Sequence, residues 1–486
     1  MAATVGEQER SDAQHARGRL TARERLDILF DHATFRETGP IGAGIVTGEG
    51  LVQGRPVTAF SQDVTDASGI MTRDHATKIA SLIDHAVSMG APVVGLYDSP
   101  GVALDDGLTG LGAQSNMIQC QALAQGKVPQ LALVFGATAG MAALSPALAD
   151  VTFMLDRAAA LHLAGPDVLR RATGEIASAD ALGGPTLHAI HTGMADRVFA
   201  DEIELLFATR DLLDLLPSSV GASTPLIFTA DPAHREEPGL DQLVPLDPAE
   251  PYDMRELARA LVDERELLDV QPQHAANLVC ALGRVEGRAV GILGTQPMVL
   301  AGTIDSAAAR KAARFAGFCG RYGLPMVVLL DSPGFLPGTA EEARGIVREA
   351  GNMMAALARA PGPRITIITR RAIGPVWAVF ASRRTTLDHC YAWPGAEIAV
   401  INTAAAAELL FDDTDDQKKR DYAARIADPS HAVDAGFVDA VIRPAATRRT
   451  IAEVLRHVAH AQGSGSLLPT PSPDGAGYTR ERDRNG

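Results

Sequence analysis

The chain is short of cysteine, of lysine and of positive charge, and it lacks long apolar runs. Its four cysteines, Cys120, Cys280, Cys319 and Cys390, lie far apart in 486 residues and form no CxxC pair. This argues against a disulfide framework and a zinc site and is read as reduced, buried thiols. No HExxH sequence and no cluster of His and Asp is present, so no metal site is expected. Lone histidines such as His162 and His389 read as packing or surface residues. The net charge of −15 argues against a nucleic-acid binder, which needs a basic surface. It leaves room for a small anionic ligand held by a local group of arginines. The N-terminal stretch MAATVGEQERSDAQHARGR has no apolar signal core, and no run is long enough to span a bilayer. A cytoplasmic protein without a membrane partner is expected.

Several catalytic signatures are also missing. No GxSxG elbow occurs, which disfavours an ordinary serine hydrolase. No Walker A loop occurs, since QGKVP around Lys127 lacks both the upstream Gly and the Ser or Thr. GAGIVT at 42–47 resembles a dinucleotide fingerprint but lacks its final Gly or Ala.

What the chain does have is a repeat. The tetrapeptide DSPG stands at 98–101 after APVVGLY, and again at 331–334 after LPMVVLL. A helical stretch precedes each copy, DHATKIASLIDHAVSMG and DSAAARKAARFAGFCGRYG. After each copy come a glycine-containing loop, a second helix and a strand ending in a small-residue turn. Gly112 follows Asp98 by 14 residues, and Gly345 follows Asp331 by 14. Gly140 follows Asp98 by 42, and Gly374 follows Asp331 by 43. Such alternation predicts an α/β fold with buried, largely parallel sheets and crossover helices, present twice. The Pro-rich and acidic segment 229–253 marks a boundary, giving domains over 1–240 and 241–462. Residues 463–486 read as a disordered tail. Near the N-terminus, Thr21 and Glu24 form a capping box ahead of an amphipathic helix. The run DDTDDQKKRD at 412–421 reads as a solvated helix start.

The second turns, GATAGMAALSPA and RRAIGPVWAVF, each put small residues between a strand and a helix. Unbonded amides at such a point can stabilise a developing negative charge, as a thioester enolate requires. A single turn of this kind is explained as well by tight packing; two at matched positions point to function.

These motifs resemble a known family. GRLTARERLDILFD, FSQDVT, SPALADVTFML, GPDVL, LGGPTLH, PYDM, VDERELLDVQP, GILGTQP, DSPGFLPGTAEE and YAWPGAEIAV follow one another in order over about residues 15–460. They resemble the carboxyltransferase subunit of biotin-dependent acyl-CoA carboxylases, of which the propionyl-CoA carboxylase beta chain is typical. The resemblance implies two tandem crotonase-like domains and a homo-oligomer, usually a hexamer. It implies sites where the N-terminal domain of one subunit meets the C-terminal domain of another. Acyl-CoA is implied on the first domain, and carboxybiotin on the second, brought by a separate carrier. The expected reaction moves a carboxyl group between carboxybiotin and the α-carbon of a short acyl-CoA. The biotin base formed by decarboxylation takes the α-proton, the enolate attacks carbon dioxide, and no side-chain base is required.

Five lysines are present, Lys78, Lys127, Lys311, Lys418 and Lys419, and none follows a Met as the family's biotinylated lysine does. A biotin carboxylase and biotin carrier subunit are therefore expected partners. The family pattern assigns the thioester oxyanion to Gly140 and Met141, and the second oxyanion to Gly374 and Val376, with Pro375 between them as the suspect. Gly101, Gly112 and Ala142 are expected beside the substrate. Gly338, Thr339 and Gly345 are expected on the biotin side.

Departures from the family fall at these places. Met141 and Pro375 each stand where a second Gly is usual, and proline has no N–H. Pro100-Gly101-Val102-Ala103 replaces Gly-Gly-Ala-Arg. Arg344-Gly345 and Arg348-Glu349-Ala350 replace a Gly-Gly and an Arg-His-Gly. Pro375 is expected to push Gly374 toward extended geometry. Two other readings follow: a biotin-independent decarboxylase or lyase on a β-carboxylated or β-keto acyl thioester or related polyketide-type substrate, and a non-catalytic paralogue in a carboxylase assembly.

Overall fold

The computed structural model describes residues 5–463, apart from 40–43, 233, 246, 248, 383, 384, 386, 413 and 414. The expected tail from 464 onward lies outside the described residues.

Two eight-stranded sheets follow one another in the chain. The first holds β1 (Arg36–Glu37), β2 (Ile45–Val52), β3 (Arg55–Gln62), β4 (Val93–Ser99), β5 (Gln130–Ala139), β6 (Val151–Leu155), β7 (Ala160–His162) and β8 (Arg197–Phe199). The second holds β9 (Leu268–Val270), β10 (Leu278–Val285), β11 (Arg288–Thr295), β12 (Met326–Ser332), β13 (Arg364–Ile373), β14 (His389–Ala392), β15 (Glu397–Ala399) and β16 (Ala440–Val441). The strand order is the same in both, β1-β2-β3-β4-β5-β6-β8 and β9-β10-β11-β12-β13-β14-β16. The odd strand, β7 or β15, pairs with the end of β5 or β13 in each. The first three strands of each sheet are antiparallel, and the rest run parallel.

Every residue of β4 and β12 is buried, as a central parallel strand covered on both faces requires. The covering helices are Arg73–Met89 and Gly107–Ala124 in the first half. In the second they are Ser306–Arg321 and Ile346–Arg359. Thr21 accepts from the Glu24 amide while Glu24 Oε2 accepts from the Thr21 amide at 2.8 Å, completing the expected capping box. The helix it starts, Ala22–Leu29, buries Ala22, Arg25, Leu26 and Leu29. The helix Asp416–Ile426 buries nothing, in keeping with a solvated face. Cys280, Cys319 and Cys390 are buried, whereas Cys120 is half-exposed beside Asp84, which corrects one of the four thiols.

The halves are joined by buried polar contacts. Arg314 Nη2 donates to Asp196 Oδ2 at 2.9 Å and to the Asp150 carbonyl at 2.9 Å. The Tyr322 hydroxyl donates to Asp150 Oδ2 at 2.6 Å. Lys311, on the same helix Ser306–Arg321, donates from Nζ to the carbonyls of Gln271, His274 and Leu278 at 2.8, 2.8 and 2.7 Å. Burial pulls its ammonium down to about 8, while these carbonyls favour the charged form. The caged segment in turn reaches the first half, with His274 Nδ1 at 2.9 Å from the Ile190 carbonyl. No helix among the described residues is long and apolar enough to cross a membrane.

Candidate functional site

The two copies of DSPG sit where β4 and β12 end. There the neighbouring strand carries a bulge in each half. Tyr97 pairs with Val134 but Ser99 with Thr138. Leu330 pairs with Ile368 but Ser332 with Ala372. A single residue, Asp98 or Asp331, therefore faces three on the next strand, and the ladder is broken at that point. Side chains repair it. The Asp98 amide donates to Gln62 Oε1 at 2.8 Å, and the Asp331 amide to Thr295 Oγ1 at 2.9 Å.

Both aspartates are buried and each is neutralised by two guanidinium groups. Asp331 Oδ2 accepts from Arg370 Nε and Oδ1 from Arg371 Nε, both at 2.9 Å, and both arginines come from the bulge itself. Asp98 Oδ2 accepts from Arg19 Nη2 at 2.8 Å and Arg25 Nη1 at 3.1 Å, which come from the N-terminal segment. The first half cannot copy the second. Gly136 stands in its bulge, and a Cβ there would lie 1.9 Å from Asp98 Oδ1. The RLTARER motif thus supplies from a distance what the Arg-Arg pair supplies locally. Arg19 also donates from Nη2 to the Phe135 carbonyl, inside the bulge, at 2.8 Å. Sequence reasoning missed these four arginines; the signal was the Arg-Arg of TRRAIG set against the Gly-Ala of FGATAG.

Beyond the bulge each strand enters its small-residue turn. Gly140 and Gly374 have φ of +68° and +62°, which only glycine adopts freely. Gly374, with ψ −137°, is therefore not pushed into extended geometry by Pro375. After Gly140 the chain makes a 3-10 turn, Gly140–Ala143, and then a short helix. The Gly140 and Met141 amides stand at its start, where a helix has no internal acceptor to offer. Met141 is half-buried, and Gly101 and Gly112 face open space. Gly112 lies within the helix Gly107–Ala124, which starts earlier than its sequence suggested. Ala142 is 1% exposed and its methyl belongs to the core, which corrects its expected place beside a substrate.

The second turn is built otherwise. Pro375 is the first residue of the helix Pro375–Phe380, where its fixed φ fits and its missing N–H costs no helix bond. The Gly374 amide, expected to face an oxyanion, donates to the Ala399 carbonyl at 2.8 Å. A cavity of about 560 Å³ opens beside this turn. Pro333, Phe335, Pro337, Ile346, Val400 and Pro375 contribute to its mainly apolar wall. Gly374 lines it as well, but Val376 does not and is wholly buried. The expected donor pair of Gly374 and Val376 is corrected accordingly. Gly338 precedes the short helix Thr339–Ala343, Thr339 begins it and Gly345 follows it; none of the three lines the cavity, whereas Glu342 does. Glu341 anchors this segment by accepting from the Ser306 amide at 2.9 Å, and that bond holds its carboxyl below the usual range.

Positive-φ glycine turns thus follow matched strands, β5 and β13, in the two duplicated sheets. The model of the carboxyl transferase domain matches residues 13–465, and the chain belongs to that family and is a carboxyltransferase. It is 40% identical over 469 residues to the propionyl-CoA carboxylase beta chain of Roseobacter denitrificans, covering 92% of each chain. It is 38% identical over 472 residues to the methylmalonyl-CoA decarboxylase subunit alpha of Veillonella parvula, covering 93% of each. Among solved structures it resembles the hexameric transcarboxylase 12S core with methylmalonyl-coenzyme A bound. There the TM-score is 0.90 at 34% identity, over 97% of this chain and 94% of the other. The fold is two tandem crotonase-like domains.

Proposed function

We propose that the chain moves a carboxyl group between carboxybiotin on a separate carrier and the α-carbon of a short acyl-CoA. One observation carries this reading: a positive-φ glycine stands at the matched turn above both sheets, at Gly140 and Gly374. The first turn keeps its leading amides and suits the thioester enolate, whose oxygen would accept from Gly140 and Met141. The second turn borders the apolar cavity, a fit for the ring of biotin, which supplies the carboxyl group when bound there. Pro333, Phe335 and Ile346 would exclude water from that ring, and Pro375 would contribute shape without a hydrogen bond.

The biotin carboxylase and carrier are separate subunits in this reading, and the protein acts in the cytoplasm. A homo-oligomer, a hexamer as in the 12S core, is proposed. Leu104, Leu108 and Val400, each more than four-fifths exposed, would be covered by neighbouring copies. We draw the boundary between halves nearer residue 217 than 240, because the Ile227 amide already donates to the Gly287 carbonyl and the Glu237 amide to that of Ala445. The engaged Gly374 amide and the missing N–H of Pro375 favour one other reading, decarboxylation without biotin at the first turn.

Valine substitutions at the two glycines test the assignment. A β-branched residue is strained at positive φ, and each turn would have to shift. Gly140→Val lowers carrier-dependent carboxyl turnover of methylmalonyl-CoA by about a hundredfold or more. Gly374→Val, whose Cβ would lie 2.9 Å from the Val400 carbonyl, lowers the same turnover by disturbing the biotin side. Full activity in Gly140→Val would contradict the proposed thioester site.

A further inference from the structure

The motif LGGPTLH, at 182–188, belongs to neither glycine turn. It lies against β7, whose three residues pair with β5 alone, Leu161 beside Thr138 and His162 beside Ala139. The backbone that leads into Gly140 is thus held by β7. The chain leaving β7 lies beside the same turn, with the Leu163 carbonyl 4.0 Å from where a Cβ on Gly140 would stand. Three residues make few ladder bonds, so a strand this short opens easily unless its outer side is held.

The glycines and the histidine of LGGPTLH provide that hold. A Cβ on Gly183 would stand 2.0 Å from the Leu161 carbonyl oxygen, so only glycine lets this segment approach the strand. The Gly184 amide donates to the Asp180 carbonyl at 2.7 Å and closes one short helix, and Pro185 starts the next. The buried His188 then places Nε2 2.7 Å from the Leu161 carbonyl oxygen. A carbonyl only accepts, so Nε2 carries the proton. Nδ1 lies 2.8 Å from Thr192 Oγ1, which accepts from the Met194 amide at 3.2 Å and keeps its own hydrogen for Nδ1. The neutral ring is therefore satisfied at both nitrogens and fixed in one tautomer. Its far side is anchored as well. His188–Thr192 form one π turn, a form that recurs at functional sites. The His274 ring packs on Gly193, 2.6 Å from where a Cβ would be, and Gln271 Nε2 donates to the Gly193 carbonyl. Both residues belong to the segment that Lys311 cages.

We propose that His188 is a positioning residue of the first site: its Nε2–H, given to the Leu161 carbonyl, holds β7, and β7 holds the backbone that sets the Gly140 and Met141 amides. This rests on the proposed function. His188 touches no substrate and transfers no proton. Its effect is on placement, where a misfit of about 1 Å costs on the order of a hundredfold in rate. Ground-state binding depends less on that placement, because the thioester oxygen gains its charge only in the transition state. The signature is a loss of kcat at little-changed KM.

The test compares His188→Leu with His188→Gln in the full-length protein, supplied with methylmalonyl-CoA and a biotinylated carrier. Leu removes the donor, while Gln keeps an N–H at nearly the reach of Nε2. His188→Leu should lower kcat about a hundredfold at little-changed KM. His188→Gln should recover about tenfold of that loss. Hydrogen exchange in the peptide 158–164 reads the strand itself, with protection lost in Leu and regained in Gln. A packing role would lower stability, leave kcat of the folded protein in place and make Gln no better than Leu. Should His188→Leu fail to fold, Thr192→Val carries the test, since it frees only Nδ1. About a tenfold lower kcat at the same KM is then expected, and an unchanged kcat would overturn the role. Full kcat in folded His188→Leu, or Gln no better than Leu, overturns the role alone when Gly140→Val is still inactive. Full activity in Gly140→Val overturns the proposed site and this role together.

Discussion

Replacing Pro375 with glycine is expected to raise carrier-dependent carboxyl transfer by about a hundredfold. The two turns differ most at this residue. In the first half the position after the positive-φ glycine is Met141, which has an amide; in the second it is Pro375, which has none. The Gly374 amide is held by the Ala399 carbonyl at 2.8 Å, and Val376 is turned into the core. Neither the Gly374 amide nor residue 375 is left to donate into the cavity that Gly374 and Pro375 line. A glycine at 375 restores one N–H at the helix start, at the position that Met141 holds after the first glycine. Removing one such donor elsewhere costs roughly 3 kcal/mol of transition-state stabilisation, so adding one should return a comparable amount. The price in stability is about 1 kcal/mol from the more flexible unfolded chain. Steady-state rates of carboxyl exchange between methylmalonyl-CoA and a biotinylated carrier measure the effect. An unchanged or slower rate would mean that the second site does not use an amide at this position.

The second large effect concerns Asp331. Asp331→Asn is expected to destabilise the protein by ~3–5 kcal/mol, because it leaves two buried or half-buried guanidinium groups without their carboxylate. Asp98→Asn should cost less. Arg25 donates to Glu202 through Nε at 2.8 Å and Nη2 at 3.0 Å, and Arg19 also reaches Glu202, at 3.4 Å. Glu202 therefore still balances that pair. Among the described residues, Arg370 and Arg371 have only Asp331 as an acidic partner, although Arg370 also donates to the Asp247 and Glu250 carbonyls at 3.0 Å. Chemical denaturation of both variants, monitored in the second half through Trp377 and Trp393, gives the comparison. Equal losses for the two would show that the matched clusters are not built as described.

The duplicated fold was legible because its signals are local and repeated. DSPG marked the ends of β4 and β12, apolar runs marked the buried strands, and Thr21 with Glu24 marked a helix start. The details of the site were less legible, because they depend on contacts between distant segments. Whether the Gly374 amide is available depends on β15, which lies some twenty-five residues further on and pairs Ile373 with Ala399. Whether Ala142 faces a ligand or the core depends on how a 3-10 turn rotates it. The partners of Asp98 come from residues 19 and 25, and only the bulge around Gly136 explains why they are needed there.

The most direct measurement is turnover of methylmalonyl-CoA, followed by mass spectrometry, with and without a biotinylated carrier. The account predicts carboxyl loss only when the carrier is present, with carboxybiotin and propionyl-CoA formed in equal amounts. Carboxyl loss at the same rate without any carrier would contradict it and make the protein a decarboxylase on a carboxyltransferase fold.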